Sequence, residues 1–371
     1  MSNLYTGILA LEDRATRSRC AERLLRIRTS LAPLRERRSD SSLLLATWNI
    51  RDFGAKKFAA PRLPESLYYL AEFASCFDLI ALQEVNRDLS EFEQLVAILG
   101  DGWDYLLTDA TEGVSGNGER MAFLFDKAKV RFRHIAGEIV LPSGQLVMPE
   151  AAAKRATDQP APEPPIEAEA VGQQFARTPF LVAFQAGWFR FNLCTVHIYY
   201  GAESGAALQR RIAEIRTLVD FFARRQDAES KLVGNLQEAE NYILLGDFNV
   251  VSPEHKTMTA LTRRGFIVPE QIDAALMPNR DHFYDQIAVR AKDPRFRVLD
   301  GGIVDIFADV FTDDDLAIYQ HLVPESPRNR TLLRRYRDWR TWQLSDHKPL
   351  WVQVQTDFSD TYLKEVLAMQ R

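Results

Sequence analysis

Apolar residues in this chain gather in short, nearly unbroken runs. Leu43 to Trp48 and Tyr242 to Leu245 have the pattern of strands buried on both faces. Asp78 to Leu82, Met121 to Phe125, Phe180 to Phe184 and Phe189 to Val196 add strands by their β-branched and aromatic content. Leu67 to Ala74 reads as a helix, and Leu208 to Phe222 as a longer amphipathic helix between two strands. Strands and helices alternate in places, and elsewhere strand follows strand. That mixture predicts an α/β sandwich of two sheets in one domain rather than a purely parallel sheet.

Two stretches fall outside this pattern. Residues 1–42 form a basic helical extension, with Leu24, Leu25, Ile27, Leu31 and Leu34 at rough helical spacing and arginines from Arg14 to Arg28 between them. The spacing favours an amphipathic helix packed on the main domain over a basic arm that reaches a polyanion or partner. Residues 149–174 are rich in Ala, Pro and Glu, centred on Pro160, Pro162, Pro164 and Pro165, and read as a loop insertion. The main domain then spans 43–356, and 357–371 is a C-terminal helical tail.

Composition narrows the class. The 371 residues are 46% apolar and 26% charged, enough for one large core or two modest ones. No apolar run approaches a membrane span, so no membrane partner is expected. The N-terminus lacks the apolar stretch of a secretory signal, and Glu12, Asp13 and Glu22 argue against a transit peptide. The cysteines Cys20, Cys76 and Cys194 fit neither a zinc site nor a disulfide framework, which predicts a reduced, cytoplasmic protein. A net charge of −5 leaves no global basic field, so any polyanion must be held by local clusters.

Polar residues stand at the ends of several apolar runs, where active sites are commonly built. They are Asn49, Glu84, His197, Asp247 with Asn249, and the pair Asp346 and His347. One such residue is usually a strand meeting solvent, but a whole set of carboxylates, carboxamides and imidazoles points to chemistry. Oxygen ligands from Glu84, Asn49 and Asp346 suit Mg²⁺, with Mn²⁺ or Ca²⁺ as alternatives. Two of the six histidines and an aspartate could carry the proton transfers of phosphodiester hydrolysis.

The motifs Thr47-Trp-Asn-Ile-Arg-Asp-Phe-Gly, Leu82-Gln-Glu-Val, Gly246-Asp-Phe-Asn and Ser345-Asp-His-Lys-Pro resemble the signature of the endonuclease/exonuclease/phosphatase superfamily, in its usual order. Gly118-Glu-Arg-Met-Ala-Phe-Leu-Phe and Phe283-Tyr-Asp-Gln-Ile-Ala-Val resemble the strands that carry the two histidine partners in its deoxyribonuclease I branch. The resemblance covers about residues 43–356. It implies a four-layer α/β sandwich with two packed mixed β-sheets. It also implies that Glu84 is the main metal ligand near Asn49 and Asp346, that Glu119 orients His197, and that Asp285 orients His347. Asp247 and Asn249 would position the attacking water or the phosphate, and Arg177 would hold a phosphate oxygen. Which histidine is base and which is acid stays open.

The chain also departs from that branch. Asn86 stands where an arginine is expected, with Arg87 next to it, and the tyrosine expected before Glu119-Arg120 is missing. The gripping residues therefore do not carry over as the catalytic ones do: Arg177, Arg120 and Arg87 are candidates. So is the run Arg328 to Arg340, which holds six arginines, including Arg334, Arg335 and Arg337, among Tyr336, Trp339 and Trp342. The expected activity is metal-dependent hydrolysis of nucleic acid, foremost as a DNA endonuclease, with RNA as a further substrate. The alternative is a phosphoesterase acting on a small or lipid phosphate such as a phosphoinositide or sphingomyelin.

Overall fold

The computed structural model describes residues 3–54, 62–111, 118–148, 172–233, 240–277, 283–325 and 330–369. Eleven strands among them form two sheets. The first sheet has the order β10 (Val298–Ile303), β11 (Leu350–Gln355), β1 (Ser42–Phe53), β2 (Leu79–Val85), β4 (Arg120–Asp126) and β3 (Trp103–Leu107). The second has the order β5 (Arg131–Glu138), β6 (Phe180–Ala186), β7 (Phe189–His197), β8 (Asn241–Asp247) and β9 (Asp285–Arg290). Each sheet has one parallel pair, β1 with β2 and β7 with β8, flanked by antiparallel neighbours.

The continuous apolar runs follow from burial on both faces. Leu43 and Leu45 of β1 join Leu79, Ala81, Phe123, Phe184 and Phe191 in the core between the sheets. The alternate residues Leu44, Ala46 and Trp48 face a second core under the helices Arg14–Ser30, Pro64–Ala74 and Ser90–Leu99. The helix Gly205–Val233 makes the crossover between β7 and β8, and with Lys256–Leu261 it covers the other sheet. Helix, sheet, sheet and helix make the four-layer sandwich that the resemblance implies.

The N-terminal extension is a structural part of this domain. Asp13 caps its helix, and Cys20, Leu24 and Ile27 are buried, while Leu25 is exposed. Its arginines meet acids of the main domain: Arg19 pairs with Glu65, Arg23 with Asp315, Arg28 and Arg35 with Glu72, and Arg38 with Asp78 and Asp126. At the other end, the tail helix Ser359–Met369 buries none of its residues. Residues 149–171 of the expected insertion lie outside the described residues. Its last residues are held, because Gln173 bridges Val147 and Gln174 grips both backbone groups of Leu141. All three cysteines are free and buried, and no helix among the described residues is long and apolar enough to cross a membrane.

Candidate active site

Strand direction places the candidate residues. The parallel pairs β1/β2 and β7/β8 end at one edge of the sandwich, and there they leave Asn49, Glu84, His197 and Asp247. The antiparallel neighbours β4, β9 and β11 begin at that edge, so Glu119, Asp285 and His347 arrive from the opposite chain direction. The side chains of Thr47, Gln83 and Thr195 lie just below: Thr47 bonds Gln83 at 3.3 Å within the first sheet, and Gln83 reaches Thr195 of the second at 2.8 Å. This buried polar step links the apolar core to the site.

Two backbone irregularities shape its floor. The β1/β2 register breaks between Asn49 and Phe53, and the β2/β4 register breaks between Leu82 and Val85. Such bulges re-aim side chains. Glu84 and Asp52 adopt positive φ of 62° and 44°, and Asn249 adopts 51°. Strict alternation would send Glu84 to the face opposite Gln83. Instead its Oε1 accepts from Asn49 Nδ2 at 3.0 Å, and its Oε2 accepts from the Asp52 N–H at 2.9 Å.

Asp247 is the centre of the arrangement. Its Oδ2 lies 3.5 Å from His197 Nε2, 3.9 Å from His347 Nε2, and accepts from Asn49 Nδ2 at 3.2 Å. Each imidazole has its own carboxylate behind it. His197 Nδ1 pairs with Glu119 Oε2 at 3.0 Å, and His347 Nδ1 bonds Asp285 Oδ2 at 2.6 Å. Glu84 Oε1 is 3.9 Å from His197 Nε2, which puts the expected metal ligand beside the same imidazole.

Charge follows this geometry. Burial disfavours protonated His197, and so does Arg177, but Glu119 and Asp247 outweigh both and raise its pKa. Burial also opposes protonation of His347, yet Asp285, Asp247 and Asp346 hold its pKa well above the usual histidine range. Burial alone would raise the Glu119 carboxyl; His197 and Arg177 bring it down to about 2. Burial lifts Asp285 above the ordinary aspartate value, against the pull of His347.

The donors fit a hard divalent cation. Glu84 supplies a partly exposed carboxylate, and Asn49 Oδ1 is buried without a hydrogen-bond partner. Among the described residues no group of three or more His, Cys, Asp and Glu forms a metal cage. One or two carboxylates with a carboxamide, completed by water and substrate oxygens, is the pattern Mg²⁺ tolerates. Asp346 is half-exposed and pairs with Arg51 at 3.7 Å.

The remaining expected residues fall in different surroundings. The Arg177 fork grips Glu119 through bonds of 2.6 and 3.3 Å, because a buried carboxylate left half-paired would be costly. The Asn249 carboxamide donates to the Ile198 carbonyl at 2.8 Å and so braces the loop after β7. Arg120 donates to Thr108 O and Asp109. Arg87 lies against Gly118, beside the start of β4. Tyr336, Trp339 and Trp342 are buried, not displayed for bases, because spacings of three and six place them on the inner face of the helix Leu332–Gln343. Arg337 and Arg340 share Asp313, Arg335 bonds the Pro324 carbonyl, and Arg334 is exposed. Arg328 lies outside the described residues.

Sequence reading passed over two residues. Ser345, in the motif Ser345-Asp-His-Lys-Pro, is fully buried and bonded on three sides. Arg211 is fully buried and binds the carbonyls of Tyr200, Ala202 and Asn249. In sequence it cannot be told from its neighbour Arg210.

No protein-family model matches the chain, and no curated protein matches it. Solved structures do. An endonuclease/exonuclease/phosphatase family protein from Bacteroides thetaiotaomicron is similar at 18% identity, over 86% of this chain and 99% of that one, with a TM-score of 0.48. The human Nocturnin catalytic domain with bound sulfate is 13% identical over 85% and 95%, with a TM-score of 0.49. A Bacteroides thetaiotaomicron mannosyl-6-phosphatase is 18% identical over 84% and 99%, with a TM-score of 0.47.

Proposed function

We propose that this chain is a divalent-metal phosphodiesterase of the endonuclease/exonuclease/phosphatase superfamily that hydrolyses nucleic acid, with DNA as its substrate. The observation that carries the reading is the placement of Asp247 Oδ2 between His197 Nε2 and His347 Nε2, with Glu84 alongside. Two imidazoles facing one carboxylate, each backed by its own, make a site with a proton acceptor and a proton donor on either side of a reacting centre.

Each residue then has a task. Asp247, placed between the histidines, orients a water for attack. His347, held protonated by Asp285, stabilises charge on a phosphate oxygen or gives a proton to the leaving oxygen. His197, fixed by Glu119, takes the complementary role. Glu84 and the unpartnered Asn49 Oδ1 would hold Mg²⁺. When bound, the cation would offset the negative charge that develops on the phosphate oxygens.

The test sets supercoiled plasmid, linear duplex, single-stranded DNA, RNA and a phosphoinositide side by side with pure protein and Mg²⁺. Plasmid nicking that disappears with EDTA and in Glu84→Gln supports the reading. Hydrolysis of the phosphoinositide alone would replace DNA with the lipid phosphate. Activity surviving both EDTA and Glu84→Gln would remove the metal from the mechanism.

A further inference from the structure

The loop after Asn49 carries a buried cation that the hydrolytic mechanism does not use. Arg62 is 4% exposed, and its guanidinium lies between the rings of Phe53 and Trp342, at 5.1 and 4.6 Å from their centroids. Its Nη2 donates to the Arg51 carbonyl, and its Nη1 reaches the Asp52 carbonyl at 3.4 Å. Nη1 also pairs with Glu91 Oε2 at 2.6 Å. That same Glu91 oxygen accepts the Gly54 N–H at 3.0 Å. Gly54 has φ 84°, and a Cβ there would lie 2.0 Å from the Asp88 carbonyl, so this turn is closed to any other residue.

A guanidinium in a fully buried slot between two rings is a costly choice if packing were its only purpose. An apolar side chain would fill the space without desolvating a charge. The carbonyls it binds explain the choice. They belong to the stretch where the β1/β2 ladder breaks, so strand pairing does not hold them in place. Asp52 is also held at φ 44°, a strained conformation that a non-glycine residue keeps only where its surroundings impose it. Its N–H is the group that bonds Glu84 Oε2.

We propose that Arg62 is a positioning residue for Glu84: anchored by Glu91, it clamps the Arg51 and Asp52 carbonyls and so aims the Asp52 N–H at the Glu84 carboxylate. The inference rests on the reading of Glu84 as a metal ligand. It extends the site one layer outward, from the carboxylate to the bulge that orients it and to the cation that fixes the bulge. Partners of this kind set the affinity of the ligand they orient.

The experiment measures Mn²⁺ binding to the full chain without substrate, from the electron paramagnetic resonance of the free ion, with circular dichroism on each variant as a check of folding. Arg62→Met keeps an unbranched chain between the rings and removes every donor. It should weaken Mn²⁺ binding roughly 10–100-fold, the range found for partners that orient metal ligands. Arg62→Lys, which can hold one carbonyl, should recover part of the loss. Arg38→Met is the control, because it breaks the Asp78 and Asp126 pairs at the ends of β2 and β4 far from the site; it should cost stability and leave Mn²⁺ binding within about twofold of the parent. Amide exchange at Asp52 should quicken in Arg62→Met and not in Arg38→Met. If Arg62→Met does not fold, Glu91→Gln carries the test: it keeps an acceptor for Gly54 and removes the charge that anchors Nη1, so binding should still weaken. Parent-like Mn²⁺ binding in folded Arg62→Met, or in Glu91→Gln, overturns the clamp. Glu84→Gln separates the two layers. If it abolishes binding while Arg62→Met does not, only the clamp fails; if it binds like the parent, the ligand reading fails and the clamp with it.

Discussion

Ser345 Oγ donates a 2.6 Å hydrogen bond to the Asn49 carbonyl, joining the end of β1 to the loop that carries His347. The same oxygen accepts the N–H groups of Arg51 at 3.3 Å and His347 at 3.0 Å. Ser345→Ala would remove all three bonds at a fully buried position. It should cost about 1–3 kcal/mol of stability in urea unfolding and lower turnover together with it. Parent-like turnover would mean that the bond from Trp48 Nε1 to the His347 carbonyl holds the loop unaided.

The histidine pairs predict both a magnitude and a direction. His197→Ala and His347→Ala should each lower kcat on an unactivated diester by roughly 10²–10⁴-fold. Asp285→Asn removes the charge that keeps His347 protonated. The limb of the pH–rate profile on which activity falls as His347 deprotonates should therefore move to lower pH. A profile unmoved by Asp285→Asn would show that Asp247 and Asp346 set that ionisation.

Glu214 gives a pH signature away from the reacting groups. One carboxylate oxygen accepts from Ala176 N–H at 3.0 Å, the other is buried without a partner, and burial raises the pKa to about 7. A carboxyl with a raised folded pKa adds nothing unfavourable below its unfolded value near 4.5. It costs stability progressively between there and about 7, and fully above. Glu214→Gln should thus match the parent near pH 4.5 and exceed it above pH 7 by an amount on the order of 3 kcal/mol. A difference in Tm that did not grow across this window would show that Glu214 reaches a compensating charge when ionised.

The arginines of Leu332–Gln343 predict a salt effect. Asp313 neutralises Arg337 and Arg340, and its pair with Arg337 is exposed on both sides. Exposed pairs are weak enough to exchange for phosphate. With this cluster gripping DNA, Asp313→Ala in a Glu84→Gln background should steepen the salt dependence of binding by about one contact, or roughly 0.9 in slope on duplex. The triple change of Arg334, Arg335 and Arg337 to Ala should flatten it by about two to three units. Slopes that ignore both changes would remove this helix from the substrate path.

Much of the architecture could be read from the chain because its central strands are buried on both faces. Leu43 to Trp48 and Tyr242 to Leu245 have to be apolar throughout, and that pattern is local. Edge strands carry no such mark. Arg131–Glu138 is mostly exposed, and Val298–Ile303 contains Gly301 and Gly302, so neither announced itself. The helix from Gly205 ran on to Val233, past the Phe222 end read from its apolar stripe, because its later turns are polar.

The sequence by itself determined which groups could do chemistry and at which strand ends they stood, because motif order and residue type are properties of the chain. Only the tertiary structure decided what each group faces. Asp247 stands between two histidines because β8 lies beside β7 in one sheet while the loop before β11 comes from the other. Arg177 turns to Glu119 because a buried carboxylate must be paired where the fold leaves it. Tyr336 and Trp339 enter the core while Arg334 stays outside, a choice made by the helix face that meets Phe311 and Tyr319. Contacts of this kind join residues tens to hundreds of positions apart. Their energies depend on distance, burial and the partner present, and none of these is written in a residue's own neighbourhood.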